Sequence, residues 1–212
     1  MPPSYPATLL LSGRPCLVIG GGRIAERKIK SLLHAAAEVR VVTREATPAV
    51  ADLAATGAIA LRLGEYSDAD LDGVFLVIVA TNDADLNQRV SAECRRRGLL
   101  VNVVDQPHLC NFYVPALLER GPVSLAISTG GASPALAKHL RVVLEAVVGE
   151  EYGELSELMA GLRGEVFDRY DEQADRAAAW QRLLDSDVLE LLRRGERAQA
   201  QERARELLGL PR

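Results

Sequence analysis

Apolar and polar positions in the first half of the chain alternate between two patterns, one typical of buried strands and one typical of amphipathic helices. Short, almost wholly apolar runs predict strands at residues 16–19, 39–42, 74–80 and 99–104, with a further short strand at 58–63. Segments with apolar residues at helical spacing lie at 24–33, near 48–56 and at 85–97. Strands that alternate with helices in this way predict an α/β fold with a doubly wound parallel sheet.

The pattern changes after about residue 105. An irregular segment at 111–114 lies between two prolines, and one further strand is predicted at 123–127. Ser133 and Pro134 are typical of a helix N-cap and a first helical position, so we expect a helix from 134 to about 148, ended by Gly149. Apolar residues after 150 recur only at helical spacing, which predicts helix packing or a surface for a partner subunit, and the charged segment 196–206 is predicted to be a solvated helix.

These changes predict three regions. The first, residues 1–113, is expected to be a nucleotide-binding α/β domain, the second, 114–149, a small α/β region, and the third, 150–212, a helical domain.

Composition narrows the class of protein. The 212 residues are 48% hydrophobic, and the net charge of −4 argues against a general nucleic-acid binder. The three cysteines have no CxxC spacing, which favours reduced thiols in the cytoplasm over a disulfide framework. The longest strongly apolar run, 74–80, is far too short to cross a bilayer, and the N-terminus lacks the pattern of a signal peptide. We therefore expect no membrane partner.

A glycine-rich turn is the most informative motif. Gly20 and Gly22 follow the first predicted strand, and Ala25 stands at the third small position of the dinucleotide-binding pattern. Gly20 permits the sharp turn, Gly22 permits close approach of a pyrophosphate, and the helix predicted from Ile24 offers free N–H groups to its phosphates. An ordinary strand-to-helix turn is the alternative. The motif predicts a Rossmann-like, nucleotide-binding sheet.

The end of the second strand departs from that pattern. Thr43 stands where an acidic residue usually binds the ribose hydroxyls, and Glu45 comes two residues later. Arg44 could receive a 2′-phosphate instead, and the segment could also be a solvated loop. The residues leave the choice between NAD and NADP open.

Two further strand ends carry polar groups. Thr81 and Asn82 follow the strand at 74–80 and could hydrogen-bond nicotinamide or ribose, or Asn82 and Asp83 could simply cap the next helix. Asp105 ends the strand at 99–104, where a carboxylate could act as a general base, or could only form the turn before Pro107.

The segment 128–133 is a second candidate anion site. Gly130 and Gly131 precede a helix N-terminus, and Ser128, Thr129 and Ser133 add hydroxyl groups, so the turn would suit substrate carboxylates. A plain helix cap is the alternative. The three histidines have no metal-ligand spacing, and we expect no metal site.

Four motifs in this order resemble one known family. They are GGGxxAxRK from Gly20, ATND from Ala80, NVVDxP from Asn102 and STGGxSP from Ser128. The chain is similar to the precorrin-2 dehydrogenase / sirohydrochlorin ferrochelatase family, the N-terminal module of sirohaem synthase. The resemblance covers residues 5–150 strongly, and the helical tail in length and character.

The resemblance implies NAD-dependent oxidation of the tetrapyrrole precorrin-2 to sirohydrochlorin, followed in some members by insertion of Fe²⁺. It implies that Asp105 is the catalytic residue and that NAD contacts Gly22, Arg23, Ile24, Arg44, Glu45 and the Thr81 region. It also implies a homodimer, joined through the region after the Rossmann part and the helical tail. Thr129 replaces a serine of the family, which weakens any role specific to serine at that position.

Three other functions remain open at this point. One is a dehydrogenase without chelatase activity, since Asp105 would serve both steps. Another is a nucleotide-sensing regulatory domain without catalysis, against which the missing acidic residue and the second glycine turn both count. The third is a scaffold that binds NAD only to stabilise a dimer.

Overall fold

The computed structural model describes residues 4–211 and separates into two compact units that meet between Val114 and Pro115. The first unit is an α/β unit built on five strands and three helices. The strands are β1 (Pro15–Ile19), β2 (Glu38–Thr43), β3 (Ala60–Leu63), β4 (Leu76–Val79) and β5 (Leu100–Val103). The helices are α1 (Arg23–His34), α2 (Pro48–Ala55) and α3 (Ala84–Arg97), and short 3₁₀ helices lie at Asp68–Leu71 and Pro107–Leu109.

All five strands are parallel, in the order β3-β2-β1-β4-β5. One core cluster packs α1 and α2 against the sheet through Ile29 and Val50, which are fully buried. A second cluster joins the sheet to α3 through Val90 and Cys94. Helices therefore cover both faces, which confirms the predicted Rossmann-like fold and explains why its strands are nearly continuous apolar runs. The sheet's carboxyl edge, where ligands bind in such folds, carries the glycine turn.

The second unit consists of a hairpin and five helices. The antiparallel strands β6 (Ala116–Arg120) and β7 (Val123–Ile127) pair with each other, and α4 (Pro134–Glu145) follows. The remaining helices are α5 (Glu151–Arg169), α6 (Gln173–Leu184), α7 (Val188–Arg193) and α8 (Arg197–Leu207). They pack around a core that includes the fully buried residues Val166, Ala179 and Val188.

The predicted elements lie close to the observed ones, and five corrections are needed. The strand expected at 74–80 is only Leu76–Val79, and the one expected at 58–63 is only Ala60–Leu63. Helix α4 ends at Glu145, before the expected position near 148. Strand β6 was not predicted, because Pro115 precedes it and because Glu119 and Arg120 interrupt its apolar pattern.

The fifth correction concerns α8, which is not simply a solvated helix. Ala200 and Ala204 are fully buried and line one face of the helix against the core of the second unit. The charged residues occupy the other face, where Arg205 forms an ion pair of 2.6 Å with Glu165 of α5. Small alanines permit close helix packing, and sequence periodicity at alanine positions is a weak signal. In the part of the chain that the structure describes, no helix is long and apolar enough to span a membrane.

Candidate active site

A cavity of about 730 Å³ lies at the carboxyl edge of the sheet in the first unit. It brings together six of the eight predicted cofactor residues, namely Gly20, Gly22, Arg44, Glu45, Thr81 and Asn82. The other two, Arg23 and Ile24, are the first residues of α1 and stand directly beyond Gly22. The carboxyl ends of β1, β2 and β4 thus meet around one opening.

Gly20 makes the turn between β1 and α1 possible. Its φ of +115° is one that side chains rarely adopt, and a Cβ there would overlap the carbonyl oxygen of Ala80 at the end of β4. The Gly20 amide donates to the Val42 carbonyl over 2.9 Å. Three strand ends are therefore joined at one glycine, as the sequence predicts for a dinucleotide-binding turn.

Gly22 leaves the start of α1 open. It is the N-cap of the helix, no side chain caps the first turn, and a Cβ at Gly22 would meet nothing within 4 Å. The uncapped amides and the positive end of the helix face this space. The open space and the donors fit the pyrophosphate of a dinucleotide, which backbone N–H groups bind at such a turn.

The loop after β2 folds back over the glycine turn. The Thr43 hydroxyl donates to the Glu45 carbonyl over 2.7 Å, and the Thr47 amide donates to the Gly21 carbonyl over 2.9 Å. Arg44 stands between these bonds with its guanidinium exposed, 3.3 Å from the Glu65 carboxylate. Sequence reasoning missed Glu65, which lines the same cavity from the loop after β3.

Thr81 is bound to a buried residue that sequence reasoning also missed. Its hydroxyl donates to the side chain of Asn87 over 2.6 Å and accepts from the Asp83 amide. Asn87 lies in α3 and is fully buried. Its signal in the sequence is a polar residue on the apolar face of a helix. Because the single Thr81 hydroxyl proton is committed to Asn87, Thr81 is left as an acceptor toward a ligand.

Asp83 is the N-cap of α3, since its carboxylate accepts from the Leu86 amide over 3.0 Å. Asn82, which is exposed, lies one residue before that cap. Asp83 therefore caps the helix, as one of the two alternatives predicts, and both Asn82 and Asp83 line the cavity.

Asp105 occupies the tight turn that follows β5 and is not among the residues that line the cavity. Its φ of +59° belongs to the left-handed region, which aspartate tolerates better than most residues. The Gln106 amide closes the turn on the Val103 carbonyl over 3.2 Å. The Cys110 thiol contacts both the amide and the carbonyl of Val103. An exposed carboxylate is thus held by a fixed backbone.

The positively charged side chain of Lys28, in α1, interacts with the charge of Asp105. Burial lowers the pKa of Lys28, the neighbouring Arg27 lowers it further, and the Asp105 carboxylate raises it. The Asp105 carboxylate thus favours the charged form of the half-buried Lys28 side chain.

The loop 128–133 belongs to the second unit and uses its hydroxyls largely within itself. Thr129 accepts from the Ser133 amide over 3.0 Å and donates to the Ser133 carbonyl over 3.1 Å. Ser128 accepts from the Gly130 amide, and Gly130 and Gly131 both have positive φ. Ser133 caps α4 by accepting from the Leu136 amide, and Pro134 is the first helical residue, which confirms the predicted cap. Within residues 4–211, no group of three or more metal-ligating side chains lies close enough to hold an ion.

Three family models match successive parts of the chain. Residues 7–116 match a family described as putative NAD(P)-binding, residues 120–146 match the sirohaem biosynthesis protein central region, and residues 151–208 match the sirohaem synthase dimerisation region.

Siroheme synthase of Thioalkalivibrio sulfidiphilus is 43% identical over 198 residues, which cover 93% of this chain and 40% of that protein. Siroheme synthase 1 of Klebsiella pneumoniae is 43% identical over 201 residues, which cover 95% of this chain and 43% of that protein. The chain thus spans about two fifths of the length of these curated relatives.

A solved structure of SirC, a precorrin-2 dehydrogenase, superposes with a TM-score of 0.76 and 30% sequence identity, over 94% of this chain and 100% of that one. Together with the NAD(P)-binding match, this neighbour supports the predicted cofactor, NAD. The chain belongs to the precorrin-2 dehydrogenase / sirohydrochlorin ferrochelatase family, which includes sirohaem synthase.

Proposed function

We propose that this chain catalyses the NAD-dependent oxidation of precorrin-2 to sirohydrochlorin in sirohaem biosynthesis. The observation that carries the proposal is the cavity at the end of β1, where an uncapped helix N-terminus meets three strand ends in a member of this family. NAD, when bound, supplies the hydride acceptor for the oxidation.

In this proposal the glycine turn and its loops hold the dinucleotide. The amides that follow Gly22, at Arg23 and Ile24, donate to the pyrophosphate, and Gly20 keeps the Ala80 carbonyl close without a clash. Thr81 and Asn82 line the cavity just after the end of β4. Thr81 can only accept a hydrogen bond from the cofactor, because its hydroxyl already donates to the Asn87 side chain.

Asp105 is proposed as the general base. Its carboxylate is exposed at the carboxyl edge of the sheet, and its turn is closed by backbone bonds, so the group is positioned before substrate arrives. Asp105 would accept, on a carboxylate oxygen, the proton that the macrocycle loses during oxidation.

The loop 128–133 is proposed to bind substrate carboxylates. Precorrin-2 is rich in carboxylates, and Ser128 has a hydroxyl proton to donate while its oxygen accepts from Gly130. Thr129 and Ser133 shape the loop through their internal bonds, and the two glycines let the backbone approach the ligand.

A second activity, insertion of Fe²⁺ into sirohydrochlorin, uses the same exposed carboxylate. Asp105 would accept protons from pyrrole N–H groups as the ion, which is a substrate here, enters the ring. The accessibility of Asp105 in its turn favours this second role.

Assembly and location complete the proposal. Residues 151–208 match a dimerisation region, which supports a homodimer. Each protomer would use residues 1–113 to bind the cofactor and the regions 114–149 and 150–212 to contact its partner. The three cysteines are free thiols, which supports a cytoplasmic location.

The testing experiment is an anaerobic assay with enzymatically made precorrin-2 and NAD⁺, followed by absorbance as sirohydrochlorin forms. The proposal predicts NAD-dependent conversion, and a further iron-dependent change above the spontaneous rate would establish chelation. Cofactor binding without conversion of precorrin-2 would favour a nucleotide-sensing regulatory domain. If NAD also shifted the monomer–dimer equilibrium, the result would favour a scaffold that binds NAD only to stabilise the dimer.

A further inference from the structure

The edge of the cofactor cavity carries an ion pair between two neighbouring strand ends. Arg44 follows β2, Glu65 follows β3, and the Arg44 Nη2 lies 3.3 Å from the Glu65 Oε1. Both side chains line the cavity, yet they are 70% and 79% exposed. A pair this exposed adds little to folding stability. Its position at the cofactor cavity therefore suggests a role in binding.

The end of β2 is where dinucleotide-binding folds distinguish a ribose 2′-hydroxyl from a 2′-phosphate. Thr43 occupies the usual acidic position, and its hydroxyl is already bonded to the Glu45 carbonyl. Arg44 by itself is suited to a 2′-phosphate, because a guanidinium binds phosphate oxygens in a bidentate manner. The β2 end alone would therefore favour NADP.

Glu65 has the opposite preference. Its carboxylate forms an ion pair with the guanidinium of Arg44 and would repel a phosphate dianion bound at the same place. The same carboxylate can accept a hydrogen bond from a ribose hydroxyl. We propose that Glu65 determines the selection of NAD over NADP, supplying from β3 the carboxylate that β2 lacks.

The loop that carries Glu65 is fixed to the cofactor edge. The Gly64 amide donates to the Thr43 carbonyl over 2.8 Å, so the pairing of β2 and β3 continues one residue beyond the strands. Arg62 donates to the Glu65 carbonyl over 2.9 Å and also bonds Asp70 over 3.1 Å. These bonds hold the Glu65 backbone from both sides, so its carboxylate approaches Arg44 from a defined position.

Glu45 is the competing carboxylate, since it also lines the cavity. The partner of Arg44 is Glu65, however, and the Glu45 carbonyl turns inward toward Thr43. The two carboxylates therefore make different predictions when each is neutralised. The inference rests on the proposed function only in that the cavity must bind a dinucleotide.

The test compares NADH and NADPH dissociation constants, measured by fluorescence titration at one fixed ionic strength, because exposed charges are screened by salt. The variants are Glu65→Gln, Glu45→Gln, Arg44→Ala and the double variant that combines Arg44→Ala with Glu65→Gln. Glu38→Gln is the matched control, since Glu38 is an exposed residue that begins β2 at the opposite edge of the sheet.

We expect Glu65→Gln to shift the affinity ratio toward NADPH by about tenfold or more, and we expect removal of Arg44 in the double variant to abolish that shift. An unchanged ratio in Glu65→Gln, an equal shift in Glu38→Gln, or a shift confined to Glu45→Gln would overturn the inference while leaving dinucleotide binding intact. A wild-type protein that bound neither cofactor would overturn the proposed function as well.

Discussion

The Thr81 hydroxyl donates to the side-chain oxygen of Asn87 over 2.6 Å, and the Asn87 amide returns a bond of 3.2 Å to the Thr81 carbonyl. This reciprocal pair joins the end of β4 to α3 beneath the cofactor cavity. Since Asn87 is fully buried, both of its bonds are made in a medium of low dielectric. The cavity wall at Thr81 is thus supported from within the core.

Replacing Asn87 by alanine should destabilise the protein by about 1–3 kcal/mol, because the change leaves polar groups of the Thr81 loop without partners. NADH affinity should fall as well, since the loop lines the cavity. Urea unfolding and NADH titration measure the two effects. Asn82→Ala, an exposed change in the same loop, is the control and should alter stability by less than about 0.5 kcal/mol. A wild-type urea midpoint for Asn87→Ala would contradict this account.

The two glycines of the turn should respond differently to alanine. Gly20→Ala should both destabilise the fold and abolish NADH binding, since its Cβ would overlap the Ala80 carbonyl at a φ of +115°. Gly22→Ala should leave stability nearly unchanged, because its Cβ meets open space within the protein, yet it should weaken NADH binding by filling the phosphate position.

Gly57→Ala serves as a control for backbone strain alone. Gly57 has a φ of +75° but nothing within 4 Å of its Cβ position, so the substitution should cost about 1 kcal/mol and leave cofactor affinity intact. Equal losses of NADH affinity in the Gly20 and Gly57 variants would show that strain, rather than the clash at the cavity, explains the Gly20 result.

Acid should destabilise the protein partly through Glu93. Hydrogen bonds from Arg96, and then from Arg97, hold the pKa of Glu93 near 2, well below its ordinary value of 4.5. A folded-state pKa below the unfolded one adds stability above about pH 4.5, and that stability is lost as pH falls toward about 2. Glu93→Gln should therefore flatten the pH dependence of the unfolding free energy within this window, measured by urea titrations at several pH values.

The control for the acid experiment is Glu38→Gln, an exposed change at the start of β2. Its slope of stability against pH between about pH 4.5 and 2 is the reference with which the slope of Glu93→Gln is compared. If Glu93→Gln retained the full wild-type slope, the stabilisation would have to come from other carboxylates.

The sheet could be predicted because its strands are buried on both faces and therefore appear as apolar runs. The glycine turn could be predicted because a sharp turn and a close approach both require glycine at fixed spacing. Strand β6 was missed since its two closing residues, Glu119 and Arg120, are charged.

The missing parts of the site depend on contacts between residues distant in the chain. Glu65 reaches Arg44 only because β2 and β3 lie side by side, and neither residue stands in a motif. Asn87 could have been suspected as a polar residue among Val90 and Cys94 on one helix face, but its partner Thr81 could not be identified from spacing.

Asp105→Asn tests the central claim most directly, in the anaerobic assay with precorrin-2 and NAD⁺. Asparagine tolerates the left-handed φ of +59° as aspartate does, so the variant removes the charge and preserves the turn. NADH affinity and the urea midpoint should match the wild type, whereas NAD-dependent formation of sirohydrochlorin should fall at least about 100-fold, the usual contribution of a general base. A variant that bound NADH normally and oxidised precorrin-2 at the wild-type rate would contradict the account.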